Sequence, residues 1–375
     1  MKRQLLAVAL VAASINALAV SEQTTLWKNG DGGIAVYRIP AICTAPNGDL
    51  VAVCDARSRN GGDLNIYQPI NISCRRSSDN GATWSDPVNT WTWRWDEEEQ
   101  WSGSDPSLIV DETTGTIFLF YNVWEWKHQK DIYQFFVQES KDNGATWSKP
   151  RDISKDIAFE GWNFGGMRGQ GGFIFITSGS GVQMKDGTLM HTIVRVGGPT
   201  EVALFGSSDH GKTWRHFGNP VKQGDECKFV ELDDGTWMIN SRCQAGSREI
   251  HRSTDQGKTW TSETNYDLLD PACNAQLMKY PLARASGSDK TSNADLPEHV
   301  LLFSNCKSRG RNNLFLRTSW DDGKTWTPGV SIEPTGAAYS DMTILKNGEI
   351  GVLFEGAGYA TIRFCRLEPR EFLAR

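Results

Sequence analysis

The pattern Ser-x-Asp-x-Gly-x-Thr-Trp occurs five times in this chain, and no other feature restricts its fold as much. It runs Ser77 to Trp84, Ser140 to Trp147, Ser207 to Trp214, Ser253 to Trp260 and Ser319 to Trp326. The aspartates, Asp79, Asp142, Asp209, Asp255 and Asp321, stand 63, 67, 46 and 66 residues apart. Recurrence at such a period marks repeated supersecondary units, and these intervals suit one four-stranded unit per box. The residue types are those of a turn. An Asp side chain accepts backbone N–H groups, and Gly takes conformations that other residues avoid. The Trp can bury itself between neighbouring sheets. A calcium loop of the EF-hand type needs regularly spaced acidic ligands and a closing Glu, which the boxes lack. The boxes are therefore assigned to folding rather than to chemistry.

A second repeat lies upstream of the boxes. Turns containing Gly divide pairs of apolar runs at Pro46-Asn47-Gly48-Asp49, Thr113-Thr114-Gly115-Thr116, Lys185-Asp186-Gly187-Thr188, Asp233-Asp234-Gly235-Thr236 and Lys346-Asn347-Gly348-Glu349. These are hairpin signals. The unit reads strand A, Gly turn, strand B, loop, strand C, box turn, strand D. The fifth unit replaces its A–B turn with a polar loop at about residues 283–298. The sixth (339–365) has no box and no clear strand D, which residues 24–28 could supply. Closing the ring in this way protects every sheet edge. The 37 Gly and 15 Trp fit many short strands and tight turns. The expected fold is an all-β, six-bladed β-propeller occupying residues 20–375 as a single domain.

Topology then sorts residues by face. Strand A begins, and strand B ends, at the end of the ring opposite the boxes. Arg38 and Asp105 each lie ten residues before their turn glycines, Gly48 and Gly115. Glu226 and Tyr339 lie nine before Gly235 and Gly348. Arg242 ends a B strand, and Asp63 and Arg311 lie in B–C loops. All seven converge on one mouth of the ring. Polar groups placed beside an apolar core need partners or a ligand.

Residues 1–19 read as a secretory signal: Lys2 and Arg3, an apolar run from Leu5 to Ala13, then Ala17-Leu18-Ala19 as the cleavage pattern. Export to the periplasm or beyond is expected. No other run is long enough to span a membrane. Taking Lys2 and Arg3 off the 39 basic residues leaves 37 against 45 acidic, a net charge of −8. Nucleic acid is an unfavourable partner for such a chain. Eight cysteines, at 43, 54, 74, 227, 243, 273, 306 and 365, would be permitted disulfides outside the cell, and free buried thiols are an equal reading. Neither they nor the six scattered His show a metal-binding spacing, so no metal or other cofactor is expected. Trp91, Trp93, Trp95, Trp101, Trp124 and Trp126 read either as packing between blades or as an acyl pocket or aglycone platform. The acidic run 96–99 reads as a solvated loop.

Taken in order, the motifs resemble those of the bacterial sialidases, over essentially the whole mature length. Tyr37-Arg38-Ile39-Pro40 resembles the family's Arg-Ile-Pro segment. Asp55-Ala56-Arg57 followed by Asp63 resembles its general-acid loop. Glu226 and Arg242, sixteen residues apart, match the spacing of its catalytic Glu and second Arg. Arg311-Asn312-Asn313-Leu314 with Arg317 resembles the third-Arg segment, and Ala338-Tyr339-Ser340 the nucleophile segment. Arg309 competes with Arg311, and Glu231 with Glu226, and spacing favours Arg311 and Glu226. The resemblance implies Asp63, Glu226 and Tyr339 as catalytic residues. It implies Arg38, Arg242 and Arg311 as binders of a sugar carboxylate, and Arg57 and Asp105 as contacts near O4. The implied activity is exo-α-sialidase action on sialylated glycans, by a monomer.

The chemistry suits the substrate. Sialic acid carries a carboxylate on its anomeric carbon, which clustered Arg can bind through planar, charge-assisted bonds. The same carboxylate would repel an Asp or Glu nucleophile, and a neutral Tyr avoids that. A free Tyr has a pKa near 10, so it needs a base, the expected role of Glu226. Asp63 would protonate the leaving oxygen and then activate water.

Overall fold

The computed structural model describes residues 22–64, 66–128, 133–157, 159, 173–196, 200–244, 246–285 and 296–374. The expected signal segment, and part of the polar loop in the fifth unit, lie outside the described residues.

Six sheets form a β-propeller, antiparallel except for one short pairing on strand A of blade two. Blade one comprises Val36–Thr44, Leu50–Arg57, Ile70–Ser77 and Val88–Asn89. Blade two comprises Trp101–Asp111, Thr116–Glu125, Tyr133–Ser140 and Arg151–Asp152. Blade four runs Cys227–Glu231, Trp237–Arg242, Arg248–Ser253 and Thr261–Asn265, and blade five Gln276–Pro281, His299–Cys306, Asn312–Ser319 and Val330–Gly336. Blade six takes strands A to C from Ser340–Ile344, Ile350–Gly356 and Thr361–Leu367. Its fourth strand is Gln23–Lys28, paired from Gln23↔Cys365 to Lys28↔Thr361. The two ends of the chain therefore share one sheet, as the missing strand D of the sixth unit requires.

Blade three departs from the plain four-strand unit. Phe173–Ile176 and Val182–Gln183 both pair with its B strand, Leu189–Val196, followed by Glu201–Ser207 and Arg215–Lys222. Between them Gly179–Ser180 crosses to pair in parallel with the A strand of blade two. Asn122 of blade two bonds both the amide and the carbonyl of Ile176 and ties the crossing in place.

Each box is a turn with its own hydrogen-bond set. In the first, Ser77 Oγ accepts from the Gly81 amide at 2.8 Å, and Asp79 accepts from the Thr83 amide at 2.9 Å and hydroxyl at 2.7 Å. Two successive left-handed residues make the bend, Asn80 (φ 57°) and Gly81 (φ 83°). Gly is required at the second for a further reason: a Cβ there would lie 2.2 Å from the Phe364 ring of blade six. The box tryptophans bridge blades as expected. Trp214 sits edge-on to Phe118 and Phe120 of blade two, and Trp84 to Phe364. Only Trp214 is fully buried, and the other four are half-buried. All eight cysteines are free thiols, seven buried and Cys243 half-buried. Among the described residues, no helix is long and apolar enough to cross a membrane.

The unequal spacing of the inner-strand residues has a structural cause. In blade one, Arg38 pairs with Asp55 but Ala41 with Val53, so strand A holds one extra residue. Blade two repeats this between Ser104 and Ser107. Blades four and six have continuous A–B registers. Ten residues on a bulged strand thus reach the height that nine reach on a regular one. The bulges put Ile39 (φ 59°) and Asp105 (φ 60°) in the left-handed region. Non-glycine residues held there are strained, and such strain gathers at functional sites.

Candidate active site

The mouth opposite the boxes gathers the expected residues around one phenol. Tyr339 precedes strand A of blade six and is 7% exposed. The guanidiniums of Arg38 and Arg311 lie 5.6 and 5.5 Å from its ring centroid. Arg242 Nη1 donates to its hydroxyl at 3.3 Å. The same nitrogen donates to Glu226 Oε2 at 2.6 Å, so Arg242 links the phenol to the buried Glu226. Burial, followed by the charge of Glu226, pushes the Tyr339 phenol well above its ordinary value, and Arg242 opposes this. The phenol is therefore neutral, and any attack by its oxygen would require a base.

Two further residues complete this half of the site. Glu355, in strand B of blade six, accepts from Arg38 Nε at 2.5 Å and Nη2 at 3.3 Å, and from the Ile39 and Tyr339 amides at 3.0 and 3.1 Å. One buried carboxylate thereby fixes both a cation and the phenol's backbone. Tyr359 accepts from Arg311 Nη1 at 3.0 Å, and the Arg38 guanidinium lies 4.4 Å from its ring centroid. It sits at φ 72° in a bend with Ala357 (φ 51°) and Gly358 (φ 61°). Arg311 also donates to the Ala272 carbonyl at 3.1 Å. Spacing from the turn glycines pointed to neither Glu355 nor Tyr359. The Glu-x-x-x-Tyr pair at the end of the last hairpin was the only available signal.

The other half is anionic. Asp63, on the B–C loop of blade one, has a side chain 52% exposed and lies 3.2 Å from Arg57 Nη2. Arg57 is 1% exposed, and its hydrogen bonds go to Asp55, Asp63 and the Gly61 carbonyl. Its position is that of a brace under the acid loop. Asp105 lies in the bulge of blade two and accepts from Asn122 at 3.3 Å. Burial, reinforced by Asp63 and Asp55, raises its carboxyl well above the usual range.

The competing choices separate cleanly. Glu231 accepts from the Lys185 amide at 2.8 Å. It lines a cavity at the other end of the channel with Asn47, Glu112, Lys279 and Lys346, and none of the eight residues reaches that cavity. Arg309 is exposed, whereas Arg311 faces the phenol. The tryptophan group divides. Trp93 stacks on Trp101 and meets Tyr121 and Phe136 edge-on, and Trp124 is buried, which is packing. Trp95 and Trp126 surround Tyr67 on the acid loop. Within the acidic run, Asp96, Glu98 and Glu99 close on Arg94 in the exposed loop expected.

Residues 94–352 match the family described as a BNR repeat-like domain. The chain is 34% identical over 362 residues to a sialidase of Micromonospora viridifaciens, covering 90% of this chain and 52% of that one. It is 27% identical over 356 residues to a sialidase of Bacteroides fragilis, covering 88% and 61%. The chain thus spans between half and two thirds of the length of these relatives. Among solved structures, a Hadza microbial sialidase superposes with a TM-score of 0.81 at 26% identity, covering 93% of this chain and 69% of that one.

Proposed function

The chain belongs to the BNR repeat-like family, and on that premise we propose that it is a sialidase, a retaining exo-α-sialidase releasing terminal sialic acid from glycans. One observation carries the reading: guanidiniums from blades one, four and five stand around one buried phenol. Three cations suit a ligand carboxylate, and a neutral phenol suits attack on the carbon that bears it.

In the first step the Tyr339 oxygen bonds to the anomeric carbon as the glycosidic bond breaks. Glu226 takes the phenolic proton, and Asp63 gives its proton to the leaving oxygen. Arg242, already 3.3 Å from the hydroxyl, stabilises the negative charge that develops there. In the second step water attacks the same carbon from the face the leaving group vacated. Asp63 takes the water's proton, Glu226 returns its proton to the phenol, and two inversions give net retention. Residues 1–19 would direct the chain out of the cytoplasm.

A fluorogenic sialoside tests this reading. Release of the fluorophore with the α-anomer of sialic acid appearing first by NMR, and the β-anomer only later by mutarotation, is expected. Binding of a sialoside without turnover would identify a lectin-like propeller instead.

A further inference from the structure

The carboxylate oxygens of Asp55, Asp63 and Asp105 lie within 4.8 Å of one another. One guanidinium, Arg57, stands among them. Its Nε and Nη2 both donate to Asp55 Oδ2, at 3.1 and 2.8 Å, and Nη2 reaches Asp63 Oδ1 at 3.2 Å. The Ser104 hydroxyl bridges the same two oxygens, 2.5 Å from Asp55 and 3.2 Å from Asp63. The Asp105 amide donates to the other oxygen of Asp55 at 3.0 Å. Asp55 is fully buried, whereas Asp63 opens to the mouth. Two outer charges also face the group, Glu226 acting on Asp105 and Arg38 acting on Arg57.

Three carboxylates beside one cation cannot all be ionised without a large cost. Asp55 holds Arg57 most closely and takes four of the hydrogen bonds, so little of the cation's charge is left for Asp63. We infer that Asp55 is a positioning residue for the acid–base step: it holds Arg57 in place, cancels its charge and thereby keeps the proton on Asp63. The inference rests on Asp63 being the general acid. Desolvation pushes the Asp55 carboxyl up to about 6, with Arg57 opposing and Asp63 adding to the rise. Its charge is then in place above that pH.

Asp55→Asn keeps the shape and removes the charge. Arg57, no longer opposed, then draws Asp63 towards its ionised form. The basic limb of the kcat/KM profile on a sialyl-lactose substrate should move to lower pH by about one unit. The loss should be several-fold smaller on an aryl sialoside, whose phenolate departs without a proton. Adding Arg57→Gln removes the opposing charge as well and should return the limb towards its original pH, which a merely structural defect would not do. An unmoved limb, or equal losses on both substrates, overturns the inference. If Asp55→Asn does not fold, the same limb is read on Ser104→Ala, which breaks the bridge: a displaced limb supports the inference and an unmoved one overturns it. Asp63→Asn separates the two claims. A wild-type profile in that variant rejects Asp63 as the acid, whatever Asp55→Asn shows.

Discussion

At the box end of the ring each aspartate finds its partners within four residues of itself. At the open mouth the carboxylates also take partners from distant segments, 49 residues away for Ser104 and Asp55 and 317 for Arg38 and Glu355. The consequences for proton affinity are opposite. Thr83, through its side chain and its amide, and then Ser77 hold the Asp79 carboxyl down to about 2. Burial pushes Asp55 up to about 6 and raises Asp105 well above the usual range. A carboxylate satisfied by its own turn is a folding element. One that is desolvated, crowded by like charge and bonded to a neighbouring blade has the environment that chemistry uses. One ring therefore uses the same side chain for two purposes, and the environment alone separates them.

That contrast can be broken by showing that a mouth residue behaves like a box residue, or the reverse. Tyr339→Phe should give the largest effect, a loss of kcat of at least about a thousandfold with an unchanged melting temperature. A large drop in stability would place Tyr339 with the folding residues. Trp214→Ala, on the box side, should cost about 3–5 kcal/mol in denaturant unfolding, because the ring is 2% exposed and packs on another blade. The folded fraction should keep its KM. Glu355→Gln should lower kcat/KM by about 10–100-fold by loosening Arg38, with a smaller effect on stability. Asp209→Asn should give the smallest effect, below about 1 kcal/mol. Desolvation pushes Asp209 up, but the Thr213 hydroxyl and amide with Ser207 outweigh it and leave the carboxyl at about 2. A depressed carboxyl contributes stability above its unfolded value and loses it as pH falls through the folded one. The gap in melting temperature between Asp209→Asn and the parent should therefore be full at pH 5 and close between about pH 4 and 2.

Much of this arrangement was legible in the chain. Five boxes and five turn glycines specified blades, strand order and faces, because each motif is complete within a few residues. Arg38, Asp105, Glu226 and Tyr339 could be placed at one mouth by their offsets from the turn glycines, and Asp63, Arg242 and Arg311 by lying at B-strand ends or in B–C loops. What remained hidden depends on contacts between distant segments. The ten-against-nine spacing was visible, but the bulges that cause it appear only in the A–B registers. Glu355 and Tyr359 act through Arg38 and Arg311, and the Glu-x-x-x-Tyr pair does not by itself announce those distant partners. The broken inner strand of blade three rests on Asn122 of blade two, more than fifty residues earlier. Asp55 was seen only as part of a motif, because Ser104 and Asp105 reach it only once blade two packs beside blade one.

The central claim is that ring closure turns one phenol into the nucleophile, and trapping tests it most directly. The protein should be treated with a 2,3-difluorinated sialic acid, whose glycosyl-enzyme decays slowly, and then analysed by intact and peptide mass spectrometry. The account predicts a single added sugar on the peptide carrying Tyr339, absent in Tyr339→Phe. A sugar attached to Asp63 or Glu226, or turnover with no covalent adduct at any residue, would contradict it.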